Sequence, residues 1–295
     1  MVTLRAATDA DVEHRRIDVG PDEDGRSVTL HVALAGPADG KPVILLHGFP
    51  EFWWSWRYQI LPLAAAGFRV IAPDMRGYNT SDKPTGVRAY RIGNLVSDIG
   101  GLVRALGYEK THLVAHDWGG VVGWAVAAKR PELVDRLVIM NAPHPALLVR
   151  ELRNWSQLKK SWYVFAFQLP WLPENRIQKT NTLTRSFRGW SRRREHFDDD
   201  AIARYADAVR QPGAATAMVN YYRAGFRALP ERLAPIRAKT LLVWGMQDRA
   251  LGPNLLVGLE PHVVDLRIER IAEASHWVAQ DAPEKVNALL LEFLA

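Results

Sequence analysis

The chain has no cysteine. Disulfides, thiol nucleophiles and thiolate metal sites are therefore excluded, and nothing in the composition points to an oxidising compartment. It also lacks any apolar run of membrane-spanning length. The first twenty residues are rich in Asp, Glu and Arg and carry no apolar h-region, so no signal peptide is expected and the expected location is cytoplasmic. No HExxH or comparable ligand cluster occurs, so neither a metal nor an organic cofactor is expected.

What is present is enough apolar material for a sizeable core. At 295 residues and 48% hydrophobic, the chain fits one large domain or a domain with an insertion. A net charge of +6 and a pI near 9.6 invite a nucleic-acid partner. The densest basic run, Arg188 to Arg194, is followed at once by Asp198, Asp199 and Asp200, so it reads as a solvated helix face with local compensation, and no nucleic acid is expected. Eleven tryptophans are costly to expose and suit the walls of an apolar pocket.

Residues 14–20 and 27–34 alternate polar and apolar, as in an antiparallel edge hairpin. Val43-Ile44-Leu45-Leu46 is continuously apolar, as a strand buried on both faces should be, and ends in His47-Gly48-Phe49-Pro50. A helix over 55–66, a strand over 68–72, a helix over 92–106 and strands over 111–115 and 133–140 follow, with Asp74 and Arg76 as structural loop residues. The alternation predicts an α/β fold with a largely parallel sheet. After Asn141-Ala142-Pro143-His144-Pro145 the pattern turns helical and rich in Trp, Tyr and Arg until sheet character returns near Thr240. The expected organisation is a core over 1–143, a helical cap over 144–236 and the rest of the core over 237–295, the cap lying over the strand ends where open α/β sheets bind ligands.

Val114-Ala115-His116-Asp117-Trp118-Gly119-Gly120 reads as a strand turning sharply into a helix, with a small residue and two glycines around an exposed centre. That centre is a carboxylate, Asp117. It either caps the helix or acts as a nucleophile; a desolvated carboxylate can displace a leaving group at a saturated carbon and form an ester. Backbone N–H groups of Phe49 and Trp118 are candidates for an oxyanion hole. Asp248 follows the strand 241–244 and His276 follows Leu266–Ile271, so the order nucleophile, acid, histidine matches a sheet-borne hydrolase triad. Tyr163 and Tyr222 in the helical region either pack or donate hydrogen bonds to a leaving oxygen. Phe49, Trp118, Trp162 and Trp277 are expected to wall the substrate pocket.

Taken together, His47-Gly48-Phe49-Pro50-Glu51, Asp74-Met75-Arg76-Gly77-Tyr78, His116-Asp117-Trp118-Gly119-Gly120, the segments around Tyr163 and Tyr222, and Asp248 with His276 resemble the α/β-hydrolase epoxide hydrolases over nearly the whole chain. The resemblance implies an α/β-hydrolase fold with a helical cap, and an enzyme that takes a small-molecule epoxide to a vicinal diol, with detoxification as its use. It further implies Asp117 as nucleophile, Tyr163 and Tyr222 as the oxygen-binding pair, Asp248 as the relay acid and His276 as the base. No cofactor, nucleic acid or membrane partner is expected, and the chain is a monomer or homodimer. Two alternatives stay open. Trp118 after the nucleophile also occurs among haloalkane dehalogenases, and a haloalkane or haloacid dehalogenase would share the Asp chemistry; a hydrolase-like receptor would bind without turnover.

Overall fold

The unbroken apolar runs become inner strands of a single sheet. In the computed structural model, which describes residues 4–228 and 232–295, the strands are β1 (Glu13–Pro21), β2 (Ser27–Ala35), β3 (Lys41–Leu46), β4 (Phe68–Pro73), β5 (Thr111–His116), β6 (Val134–Met140), β7 (Lys239–Gly245) and β8 (Leu266–Ile271). Residues 1–3, at the start of the expected first core part, and 229–231, within the expected cap, lie outside the described residues. The strand order is β1-β2-β4-β3-β5-β6-β7-β8. β1 pairs antiparallel with β2 and β2 with β4, so the alternating segments form the edge as expected, while every other pairing is parallel. All six side chains of β5 are buried, which is why its sequence shows no polar alternation. β3 lies between β4 and β5, the two strands that follow it, so the winding reverses at β3 and opens a crevice beyond the carboxyl ends of β3 and β5.

Helices α1 (Ile60–Ala65), α2 (Ile92–Ala105) and α3 (Asp117–Lys129) alternate with the strands up to β6. Seven more helices lie between β6 and β7, with no strand among the described residues there: α4 (Pro145–Glu151), α5 (Trp155–Lys160), α6 (Trp162–Ala166), α7 (Leu172–Ile177), α8 (Thr180–Trp190), α9 (Asp199–Arg210) and α10 (Ala214–Arg227). α11 (Val278–Asp281) and α12 (Pro283–Leu294) close the chain. The helix expected over 55–66 is divided. Trp53–Trp56 is a 3-10 turn, and α1 begins only at Ile60. All three tryptophans of the turn are buried, and its backbone is held to the core by the Trp53 N–H on the Asp74 carboxylate at 2.8 Å.

The helical insertion is fastened to the core by polar side chains. Buried Arg57 donates to the His196 carbonyl at 2.6 Å and the Tyr205 hydroxyl at 3.1 Å, with its guanidinium 4.2 Å from the Trp54 ring. Gln157 donates to the Ala250 carbonyl at 2.8 Å and accepts from the Gly252 N–H at 3.0 Å. Asp74 and Arg76 are structural, as the loop reading expects. Arg76 is fully buried and bridges Asp98 and Asp22, at 2.5 and 2.9 Å. The basic run is compensated locally in part: Arg188 pairs with Asp199 at 2.7 Å, while Asp198 caps α9 by accepting from the Ala201 N–H.

Candidate active site

The turn from β5 to α3 puts Asp117 at φ 48°, a left-handed conformation that costs a non-glycine residue energy and persists only where its surroundings enforce it. Two glycines do so. A Cβ on Gly119 would lie 2.3 Å from the Leu46 carbonyl oxygen, so only glycine lets α3 start this close to β3. A Cβ on Gly48 would lie 2.5 Å from the Asp117 Cβ, so the loop after β3 can press against the carboxylate. As a result the Phe49 N–H donates to Asp117 Oδ1 at 2.8 Å. Trp118 follows within the first turn of α3, where N–H groups have no intrahelical carbonyl partner.

The other Asp117 oxygen faces His276. Nε2 of His276 lies 3.4 Å from Asp117 Oδ2, and its Nδ1 donates to Asp248 Oδ2 at 2.7 Å. Asp248 is positioned in turn by the N–H groups of Ala250 and Leu251, at 2.7 and 2.9 Å on Oδ1, and by the Asn141 amide at 2.7 Å on Oδ2. Burial opposes charge on Asp117, but the hydrogen bond and charge of His276 outweigh it and hold the carboxyl below its ordinary pKa. Asp248 is likewise held below its ordinary value against its burial, chiefly by His276. For His276, burial disfavours the cation, yet the two carboxylates raise its pKa well above the ordinary value. The two carboxylates thus favour the protonated form of the imidazole between them.

Tyr163 and Tyr222 reach the same site from α6 and α10, their rings 5.8 Å apart and nearly perpendicular. Burial, then the charge of Asp117, pushes both phenols above their ordinary pKa, so both are neutral donors at pH 7. A cavity of about 740 Å³ opens over Asp117, within the range of small-molecule sites. Phe49, Asp117, Trp162, Tyr163, Tyr222, His276 and Trp277 all line it, and Asp248 sits behind His276. Trp118 does not. Expected as a pocket wall, its indole packs instead edge-on against Tyr222, at 5.1 Å between ring centroids, and against Tyr221 at 5.5 Å. Gly225 of α10 leaves room for it, since a Cβ there would lie 3.1 Å from the indole. Through these contacts Trp118 packs against α10.

Two groups of residues escape reasoning from the sequence. Asn141, at φ 41° after β6, accepts from the Gly245 N–H at 2.8 Å while donating to Asp248, so it joins the ends of β6 and β7 to the acid. Beneath the triad, His116 donates through Nε2 to the His276 carbonyl at 2.8 Å and meets Glu51 through Nδ1 at 2.9 Å. Glu51 also accepts from Gly48 N–H and the Gln280 amide, at 2.9 and 3.2 Å. The adjacency of Glu51 to His47-Gly48-Phe49-Pro50 and of His116 to Asp117 was the available signal.

The model of a family described as alpha/beta hydrolase fold matches residues 41–283. The chain is 44% identical over 271 residues to the AB hydrolase superfamily protein YfhM of Bacillus subtilis (strain 168), covering 90% of this chain and 94% of that protein. It is 39% identical over 281 residues to Epoxide hydrolase 2 of Caenorhabditis elegans, covering 91% and 78%. Among solved structures, that of Bacillus megaterium epoxide hydrolase in complex with an inhibitor superposes with a TM-score of 0.83 at 32% identity, covering 96% of this chain and 99% of the other.

Proposed function

Because the chain belongs to the α/β-hydrolase family, among its epoxide hydrolases, we propose that it converts an apolar or aryl epoxide and water to a vicinal diol through an ester on Asp117. The observation that carries this reading is the placement of one carboxylate with three kinds of partner: the Phe49 N–H on Oδ1, His276 on Oδ2, and two neutral phenols beside it. We read residues 144–236 as a cap domain that supplies the phenols, between core parts 1–143 and 237–295.

In the first step Asp117 Oδ2 attacks a ring carbon from the side away from the epoxide oxygen. A C–O bond of the ring breaks, and Tyr163 and Tyr222 donate hydrogen bonds and a proton to the alkoxide. Negative charge thereby leaves Asp117 and appears on the substrate oxygen, so the charge that raised both phenols is withdrawn as they are needed. Esterification also removes one of the two carboxylates that hold the His276 proton, and Asp248 alone keeps the imidazole oriented. Once it has given up that proton to solvent, His276 takes one from water as the water attacks the ester carbonyl carbon. The oxyanion forms on Oδ1, which already accepts from the Phe49 N–H, with the Trp118 N–H as second donor. The acyl C–O bond then breaks, the diol leaves with Oδ2 and takes a proton from His276, the carboxyl left on Asp117 passes its proton to His276, and a proton from solvent restores the phenol that gave one up in the first step.

A haloalkane dehalogenase would use an indole N–H against the leaving halide; here the Trp118 indole packs against Tyr222 and does not line the cavity, which favours epoxide opening. Intact-protein mass spectrometry of His276→Gln, exposed separately to aryl epoxides and bromoalkanes, tests the reading. The expected result is an adduct equal to the whole epoxide on the Asp117 peptide. An alkyl adduct from the bromide alone would make the enzyme a dehalogenase, and binding with no adduct from either would favour the receptor.

A further inference from the structure

Eight of the ten exposed large hydrophobic side chains among the described residues lie in the helical insertion. Six come from one short stretch over α5 to α7: Trp155, Trp162, Phe165, Leu169, Trp171 and Leu172. The three tryptophans are 67%, 67% and 68% exposed, whereas most of the chain's other tryptophans are buried. Phe226 of α10 extends the patch, its ring 5.7 Å from that of Phe165. Such a cluster, unlike single exposed apolar residues, marks an interaction surface.

Charge identifies the partner. Residues 152–173 contain Arg153, Lys159 and Lys160 and no Asp or Glu. None of the three cations is paired with a carboxylate among the described residues, and Lys159 instead lies 5.3 Å from the Trp155 ring centroid. The flanking acids are already committed, Glu151 to Arg150 at 2.9 Å and Glu174 to Arg223 at 2.6 Å. A second copy of this chain would oppose these cations with the same cations. Tryptophan interleaved with Lys and Arg is the composition that seats helices at an anionic lipid–water boundary. No helix among the described residues is long and apolar enough to cross a membrane, so this contact would lie on the bilayer, beyond the expectation of no membrane partner.

We propose that the face formed by residues 153–172 rests on the surface of an anionic phospholipid bilayer and delivers lipid-dissolved epoxides to the active site. The mouth of the cavity is in the right place: Lys159, Lys160, Trp162 and Leu172 of this stretch also line it. An apolar epoxide would pass from the acyl boundary into an aromatic cavity without crossing bulk water.

The test measures binding rather than turnover, so its outcome is independent of the epoxide reading. Full-length protein is sedimented with sucrose-loaded vesicles of phosphatidylglycerol or of phosphatidylcholine, and tryptophan emission is read with brominated acyl chains in the lipid. The expected result is partitioning to the anionic vesicles at least about tenfold stronger than to the zwitterionic ones, with quenched emission. Trp155→Ser/Trp162→Ser/Trp171→Ser should lose most of the sedimentation with the anionic vesicles, and Arg153→Gln/Lys159→Gln/Lys160→Gln should weaken binding far more than Lys41→Gln/Lys110→Gln/Lys239→Gln, at the opposite strand ends. Equal loss in both sets of cation variants would reduce the effect to net charge and overturn the proposal. Absence of quenching in the parent protein would overturn it without any variant, as would a dimer in solution that the tryptophan variant disperses.

Discussion

Replacing each phenol by Phe separates what the two tyrosines do. Tyr222 is buried, and its ring is held by Phe49 at 5.1 Å, Trp118 at 5.1 Å and Phe167 at 4.7 Å, so Tyr222→Phe removes the hydroxyl without moving the ring. A hydrogen bond to a charged group is worth about 1.5–3 kcal/mol. At about 1.4 kcal/mol per tenfold in rate, that is a loss of roughly 10- to 150-fold in ester formation. Burial raises the Tyr163 phenol as it does that of Tyr222, so Tyr163→Phe belongs in the same range. The loss falls on ring opening, because ester hydrolysis uses His276 and the Phe49 N–H. Rapid mixing, acid quench and mass spectrometry of the Asp117 ester give the two rates separately. The reasoning is refuted if Tyr222→Phe forms ester within about twofold of the parent rate, or if ester hydrolysis is the step that slows.

A single turnover in water labelled with heavy oxygen should place the label in Asp117 and leave the first diol unlabelled, since the acyl bond is the one that breaks; label in the first diol would mean direct attack of water on the epoxide. Asp117 has its pKa lowered by His276, so the charged nucleophile persists above that lowered value and is lost as pH falls through it. His276→Ala removes the largest counterweight to burial and leaves only His116 and the Phe49 N–H to oppose it, so the acid limb of ester formation, read by quenched mass spectrometry, should move to higher pH. Arg76→Met strands Asp98 and Asp22 in the core and should cost about 3–5 kcal/mol of stability in denaturant titration. Gly48→Ala should suppress adduct formation on Asp117 while leaving the fold, read by circular dichroism, in place.

Local signals carried much of the architecture into the sequence. The apolar runs of β3, β5, β6 and β7 need no distant partner to be recognised, and neither does the small-residue turn around Asp117. Asp248 and His276 stood out by following strands, and the sheet brings those strand ends to Asp117. What could not be read depends on the sheet already being assembled. Asn141 meets Asp248 across 107 residues and Glu51 meets His116 across 65, pairings fixed only when β3, β5, β6 and β7 lie side by side. The direction of the Trp118 ring depends on the room left by Gly225, a residue that shows no pattern of its own. The division of the helix expected over 55–66 follows from tertiary burial of three adjacent tryptophans, which overrides helical propensity.

The polar fastenings between insertion and core bear on how such an enzyme can be rebuilt. The triad grows from strand ends, whereas much of the cavity wall comes from a stretch of chain that enters after β6 and returns before β7. Those two points make natural seams for exchanging one insertion for another, a modular route to new selectivity with the triad untouched, provided the guest brings two phenols where Tyr163 and Tyr222 now stand. A transplanted insertion would still have to meet Arg57 with a carbonyl and hydroxyl, as His196 and Tyr205 do, and offer the loop after β7 an amide where Gln157 now stands. Without those sockets the guest would leave a guanidinium buried against Trp54 with too few acceptors, and the chimera would fail at the joint before its pocket was ever tried.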